Sequence, residues 1–117
     1  MNKQIGTAFE REMCELLAHD GYWVHFIVPD ARGAQPFDII AVKNGKAIAM
    51  DCKTCVANTF NISRLEENQK MAFDRWLKCG NEEPKISVKH DGKIYIIEYS
   101  RIIKEKSIKL ANESVYR

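Results

Sequence analysis

Asp38 and Asp51 are the residues whose placement could do chemistry. Between them stands Asn44-Gly45, the strongest short signal for a two-residue hairpin turn. A turn there sets Lys43 opposite Lys46 and Asp38 opposite Asp51, with the two carboxylate side chains starting roughly 4.5–5.5 Å apart on one sheet face. Lys53, two residues past Asp51, points to that same face. Like charges directly opposed destabilise a sheet. The flanking runs Ile39–Val42 and Ala47–Met50 are apolar, so burial raises the cost further and favours protonating one carboxyl group. A divalent cation relieves both costs. Mg²⁺ takes one or two protein carboxylates and keeps waters and phosphate oxygens in its other positions, with Mn²⁺ as a substitute. The backbone carbonyl of Cys52, between acid and lysine, is a candidate further ligand. An ammonium at Lys53 is suited to orient a metal-bound water and stabilise charge on phosphorus oxygens.

These residues need a framework. Apolar residues at Ile5, Ala8, Phe9, Met13, Leu16 and Leu17 predict an amphipathic helix over about 3–20, stopped by Gly21. Tyr22 to Val28 reads as a strand, followed by the Gly- and Pro-containing loop from Pro29 to Pro36. Phe37–Lys43 and Lys46–Lys53 are the hairpin strands. Arg64–Cys79 is expected to be helical, capped by Ser63 with Glu66 three residues on. Lys85–Lys89 and Lys93–Tyr99 form another hairpin through Asp91-Gly92. The tail from Ser100 reads as weakly helical and prone to fray. The order α-β-β-β-α-β-β predicts an α/β (α+β) domain, a central mixed sheet flanked by helices.

A chain of 117 residues and 13.5 kDa fits one domain, 1–117, with a core of about 3–104 and a tail of 105–117. At 45% hydrophobic and 29% charged it can bury a core and is no disordered tail. Apolar runs fall far short of the ~20 residues a bilayer span needs, and the start lacks the apolar stretch of a signal peptide. The expectation is a cytoplasmic protein, in a bacterial or phage-infected cell, with no membrane partner and no nucleotide cofactor. A net charge of +2 does not by itself assign a nucleic-acid partner. Cys52-x-x-Cys55 has no second cluster to complete a zinc site, since Cys14 and Cys79 stand alone. Free thiols in a reducing compartment are the simpler reading.

Asp38 followed by Asp51-Cys52-Lys53 on the next strand resembles the PD-(D/E)XK nuclease signature. Within that superfamily the chain is similar to the small Holliday junction resolvases, the archaeal Hjc-like and the phage and Gram-positive RecU-like enzymes. Gly6-Thr7-Ala8-Phe9-Glu10-Arg11-Glu12 is similar to their opening helix, Pro36–Gly45 to their first acidic strand and turn, and Asn58–Glu98, with Gln69, to their second half. Here the proline precedes the aspartate by two positions rather than one, and the second acid is Asp51 rather than the usual Glu. The resemblance implies a restriction-endonuclease-like fold and a Mg²⁺-dependent junction endonuclease of DNA recombination and repair. It also implies a catalytic set of Glu10, Asp38, Asp51 and Lys53. On the helical wheel Glu12 falls inside the apolar stripe and Glu10 at its border, so periodicity nominates Glu12 while the resemblance favours Glu10. Alternatives are another nuclease of this fold, restriction- or repair-type, or an inactive DNA-binding or inhibitor protein on the same scaffold.

Candidate DNA contacts are Lys3, Arg11, Arg32, Arg64, Lys70, Arg75 and Lys78, with Arg32 in the loop that enters the Asp38 strand. Gln69, early on the second helix, is a candidate to contact DNA or orient a water. Paired cuts in a four-way junction of approximate two-fold symmetry predict a homodimer. Phe60, Ile62, Trp76, Ile102 and Ile103 are the apolar candidates for its interface.

Overall fold

A mixed sheet forms the centre of the protein, with strands in the spatial order β1 (Trp23–Phe26), β2 (Ile39–Lys43), β3 (Lys46–Thr54), β5 (Lys85–His90) and β6 (Lys93–Glu98). The computed structural model describes residues 7–28 and 35–117. The expectations for Lys3 and Arg32 lie outside them. β1, β2 and β3 run antiparallel in sequence. A crossover containing α2 (Glu67–Lys78) brings β5 parallel to β3, and β6 returns antiparallel to β5. The β2–β3 register is the expected one, from Lys43↔Lys46 to Ile39↔Met50. Asn44 and Gly45 both have positive φ, 54° and 75°, the geometry whose twist suits a two-residue hairpin.

Alternation along β2 and β3 divides the core. Ile39, Ala41, Met50 and Cys52 face α1 (Ala8–His19), whose Phe9, Met13 and Leu17 are buried against them. Ala49 and Ile40 face the opposite cluster, which contains Phe73 of α2 and Ile86, Val88 and Ile97 of β5 and β6. Asp38 stands two residues from Ile40 and Asp51 two from Ala49, so both project on that α2 side. α1 starts at Ala8, later than the wheel predicts, because Thr7 caps it. The Thr7 hydroxyl accepts the Glu10 N–H (3.2 Å), and Glu10 Oε1 accepts the Thr7 N–H (2.8 Å).

Several expectations are corrected. α2 is capped by Glu66 rather than Ser63. Ser63 sits in a short 3₁₀ turn, Ile62–Arg64, where the Asn61 side chain accepts its N–H at 2.9 Å, and this local bond holds the backbone out of the helix. The tail does not fray either. After α3 (Tyr99–Glu105), β7 (Ser107–Lys109) pairs with β4 (Thr59–Asn61) in a second small sheet, burying Ile108 and Leu110. Tyr116 then bonds the edge of β6, its N–H donating to the Ile94 carbonyl at 2.7 Å. The packed core therefore continues past residue 104. Phe60 and Ile102 are fully buried in it, which removes them as interface candidates. No helix among the described residues is long and apolar enough to cross a membrane.

Candidate active site

The two aspartates are buried, Asp38 at 4% and Asp51 at 1% exposure. Asp38 stands at the entry of β2, its N–H donating to the Met50 carbonyl at 3.1 Å. Its Oδ2 accepts the Cys52 N–H at 2.9 Å, and its Oδ1 the Gln35 amide at 3.3 Å. Asp51 Oδ1 accepts from Gln69 Nε2 at 2.9 Å. Its Oδ2 makes no hydrogen bond of good geometry, and the Lys53 ammonium stands 3.2 Å from it. Burial pushes the Asp51 carboxyl up to about 8, and the Asp38 charge adds to the rise. The ammonium opposes both effects without cancelling them.

Gln69 is buried, at 6% exposure. Its Oε1 accepts from the Glu66 N–H (3.0 Å) and from Lys53 Nζ (3.3 Å) while its amide nitrogen holds Asp51. The capping box of α2 therefore extends into the acidic pair. Glu10 stands in the first turn of α1. Burial raises its carboxyl pKa, and the Asp38 charge raises it further against the lowering effects of the Thr7 N–H and Lys53. It shares with Phe9, Cys52, Lys53 and Arg64 a pocket of about 330 Å³. Glu12, the wheel's nominee, turns away to an ion pair with Lys89 at 2.6 Å. No three His, Cys, Asp or Glu side chains among the described residues gather into a ready metal cage. Two carboxylates do stand together, with the third acid at the pocket's rim.

Residues 1–115 match the family model described as archaeal Holliday junction resolvase (hjc). This chain belongs to the Hjc family. It is similar to the crossover junction endodeoxyribonuclease Hjc of Methanocaldococcus jannaschii, with 27% identity over 92 residues, 79% of this chain and 64% of that protein. The match thus spans less than two thirds of the relative's length. Among solved structures, Hjc of Archaeoglobus fulgidus, a Holliday junction resolvase from an archaeal hyperthermophile, superposes with a TM-score of 0.69. It shares 17% identity, and the match covers 90% of this chain and 87% of that one. The mixed sheet flanked by helices is the Hjc fold, as the motifs led one to expect.

On this Hjc-family scaffold the basic candidates divide. Arg64 lines the Glu10–Lys53 pocket, donates to the Thr54 carbonyl at 2.8 Å and lies 5.9 Å over the Phe60 ring. Lys70 is paired with Glu67 at 3.3 Å on α2. Arg11 is half-buried on α1, next to Glu10. Arg75 and Lys78 line a larger hollow, about 780 Å³ along α2 with Phe37, Met71 and Trp76, whose lining does not include Glu10, Asp38 or Asp51. Size therefore does not locate the chemistry here; the buried charge does. Thr7 and the bridging role of Gln69 escaped the sequence reading. The Thr7-x-x-Glu10 spacing is a capping-box signature that would have fixed the helix start and the direction of Glu10.

Proposed function

We propose that this chain is a divalent-cation-dependent endonuclease that cuts phosphodiesters in four-way DNA junctions. Membership of the Hjc family supports that substrate. The observation that carries the chemistry is Asp51 Oδ2, a buried carboxylate oxygen with no hydrogen bond, facing a buried second aspartate across the hairpin. Such a donor set fits a hard, oxygen-seeking divalent ion. Asp38 and Asp51 are its protein ligands in this reading, with the Cys52 carbonyl as a further oxygen and Glu10 supporting the shell from the rim. Mg²⁺, or Mn²⁺ in its place, supplies positive charge that acidifies water and neutralises phosphate oxygens.

Lys53 has the positional role. Its ammonium is held by Gln69 and Asp51 with 17% of its side chain exposed, so it reaches the pocket in one orientation and can donate to a water or a phosphate oxygen. Arg64, Arg11, Lys70, Lys3 and Arg32 are the phosphate contacts in this reading. Paired cuts in opposed strands call for two equal sites, hence a two-fold homodimer, working on DNA in the cytoplasm. Cleavage of junction, nicked, linear and single-stranded DNA with Mg²⁺, by the wild type and by Asp51→Asn, tests the reading. Paired cuts in the junction are expected, and Asp51→Asn should lose them while still binding it. Wild-type turnover by Asp51→Asn would overturn the metal assignment, and equal cutting of linear duplex would overturn the substrate.

A further inference from the structure

Trp23 has no place in the core. It is 63% exposed on β1, the edge strand next to β2. The exposed ring of His25 lies beside it, with centroids 6.1 Å apart and planes within 8° of parallel. A lone surface apolar side chain is ordinary; two parallel exposed rings stacked on an edge strand form a short aromatic column that a further flat ring can extend. Its direction follows from the register. Trp23 pairs with Val42 and His25 with Ile40, and the Ile27 N–H donates to the Asp38 carbonyl at 2.8 Å. Cross-strand partners share a face. Trp23, His25 and Ile27 therefore occupy the same sheet face as Asp38, Asp51 and Lys53, in successive rows leading to the acids. With ~3.4 Å per residue along a strand, the His25 row is about 7 Å and the Trp23 row about 14 Å from the Asp38 row. At ~3.4 Å per base-pair step that is about two to four steps of duplex.

We propose that Trp23 and His25 form a stacking platform for a nucleobase face exposed at a DNA branch point. This rests on the junction-nuclease reading above and adds to it a device for choosing the substrate. Base pairs within linear duplex are stacked on both faces, whereas those that border an open branch point have a face without a neighbour. Aromatic side chains stack on any base, because every base has a π-face. A platform on the catalytic face, a few steps from the acids, rewards a branch point and gains little from the interior of continuous duplex. Phosphate contacts do not make that distinction, since every duplex offers phosphates.

Trp23 and Trp76 are the two tryptophans, and Trp76 is half-buried with its indole N–H on the Glu82 carbonyl at 2.8 Å. In Trp76→Phe combined with Asp51→Asn, emission therefore reports Trp23 on uncut DNA. A four-way junction should quench it, and a linear duplex closed by hairpins at both ends should not. In affinity measurements Trp23→Ala should weaken junction binding about tenfold, the scale of one base–aromatic stack, with duplex affinity and the salt slope unchanged. Trp23→Phe should recover most of the loss. Emission unchanged at saturation, equal losses for Ala and Phe, or equal losses on junction and duplex would overturn the platform. So would conversion of a dimer to a monomer by Trp23→Ala, which would make Trp23 an interface residue. A wild type that does not prefer junction to duplex overturns the substrate reading itself; a wild type that does, matched by Trp23→Ala, overturns the platform alone.

Discussion

Gln69 Nε2 donates to Asp51 Oδ1 at 2.9 Å, and that bond joins the start of α2 to the acidic hairpin. The same amide's oxygen accepts from the Glu66 N–H and from Lys53. One side chain thus fixes a helix cap, a buried carboxylate and the ammonium beside it. Amide geometry allows this because the group presents donors on one side and acceptor lone pairs on the other.

Gln69→Ala should therefore lower both stability and turnover. A buried Asp51 oxygen and the Glu66 N–H lose their partner, which costs about 1–3 kcal/mol for an unsatisfied buried group. Loss of an outer partner of a ligand typically costs ~10–100-fold in activity or metal affinity. Melting temperature and single-turnover rate check the two effects. A variant that melts lower but cleaves at the wild-type rate would show that the bond serves the fold alone.

Asp51 sets a pH dependence of stability. Its carboxyl is raised to about 8, so between an ordinary carboxyl pKa of ~4 and that value the folded state holds a proton that the unfolded chain has released. Stability of the metal-free protein then falls as pH rises through this window and levels off above it. The Glu10 carboxyl, also raised, acts with the same sign. Asp20 and Glu105 are lowered, Asp20 by Tyr116 and Arg117 and Glu105 by Arg101; they act in acid, below the ordinary carboxyl range, with the opposite sign. Thermal melts from pH 5 to 9 should show the decline, and Asp51→Asn should flatten it. Because a cation displaces the Asp51 proton, Mg²⁺ affinity should rise with pH across the same window. A pH-independent affinity would refute the assignment of Asp51 as a ligand.

Lys53→Ala should remove most of the activity and leave Mg²⁺ binding in place. The ammonium faces Asp51 Oδ2 and Gln69, so its removal leaves both carboxylates available to a cation and frees the oxygen it neutralises. Arg64→Ala should instead raise the Kd for junction and reduce the salt slope by about one unit per lost phosphate contact. Calorimetry with Mg²⁺ and single-turnover kinetics separate the two variants. Loss of Mg²⁺ affinity with the lysine would make Lys53 part of the ion site's architecture rather than a group that acts on water or phosphate.

The acidic pair was legible because its cause is local. A two-residue turn sets the register of a hairpin, and the register alone places Asp38 opposite Asp51. The Gln69 bridge depends on a crossover that brings α2 over β3, and no short-range pattern encodes that distance. The wheel nominates Glu12 over Glu10, but it carries no information on the partners each acid meets outside the helix. Thr7 on one side and Lys89 on the other hold the two acids. The tail was misread for a similar reason. Ser107–Lys109 is too short to show a period, and its strand exists because β4 lies beside it.

The end of the chain yields the last prediction. Tyr116 pairs with the edge of β6 through its N–H on the Ile94 carbonyl, and the Ile94 N–H returns to the Arg117 carbonyl at 3.2 Å. The Tyr116 ring packs against the cluster beneath α1, and its hydroxyl donates to Asp20 just past the end of that helix. Arg117 adds an ion pair to Asp20 at 2.5 Å and lies 4.5 Å over the Tyr116 ring. The last two residues therefore tie the C-terminal end of α1 to the far edge of the sheet, and α1 carries Glu10 at its other end. Removing residues 116–117 exposes part of the α1 core and two backbone groups of an edge strand. Loss of the Tyr116 packing alone should cost about 1–2 kcal/mol, and the melting temperature should drop by about 5–10 °C. Ala replacement of Arg117 should cost far less, because an exposed ion pair contributes little. Hydrogen exchange gives the sharper reading: protection should fall in α1 and β6 and hold in β5 and α2. A shortened chain that melts with the full one and exchanges alike would show that the strap is only laid on the surface.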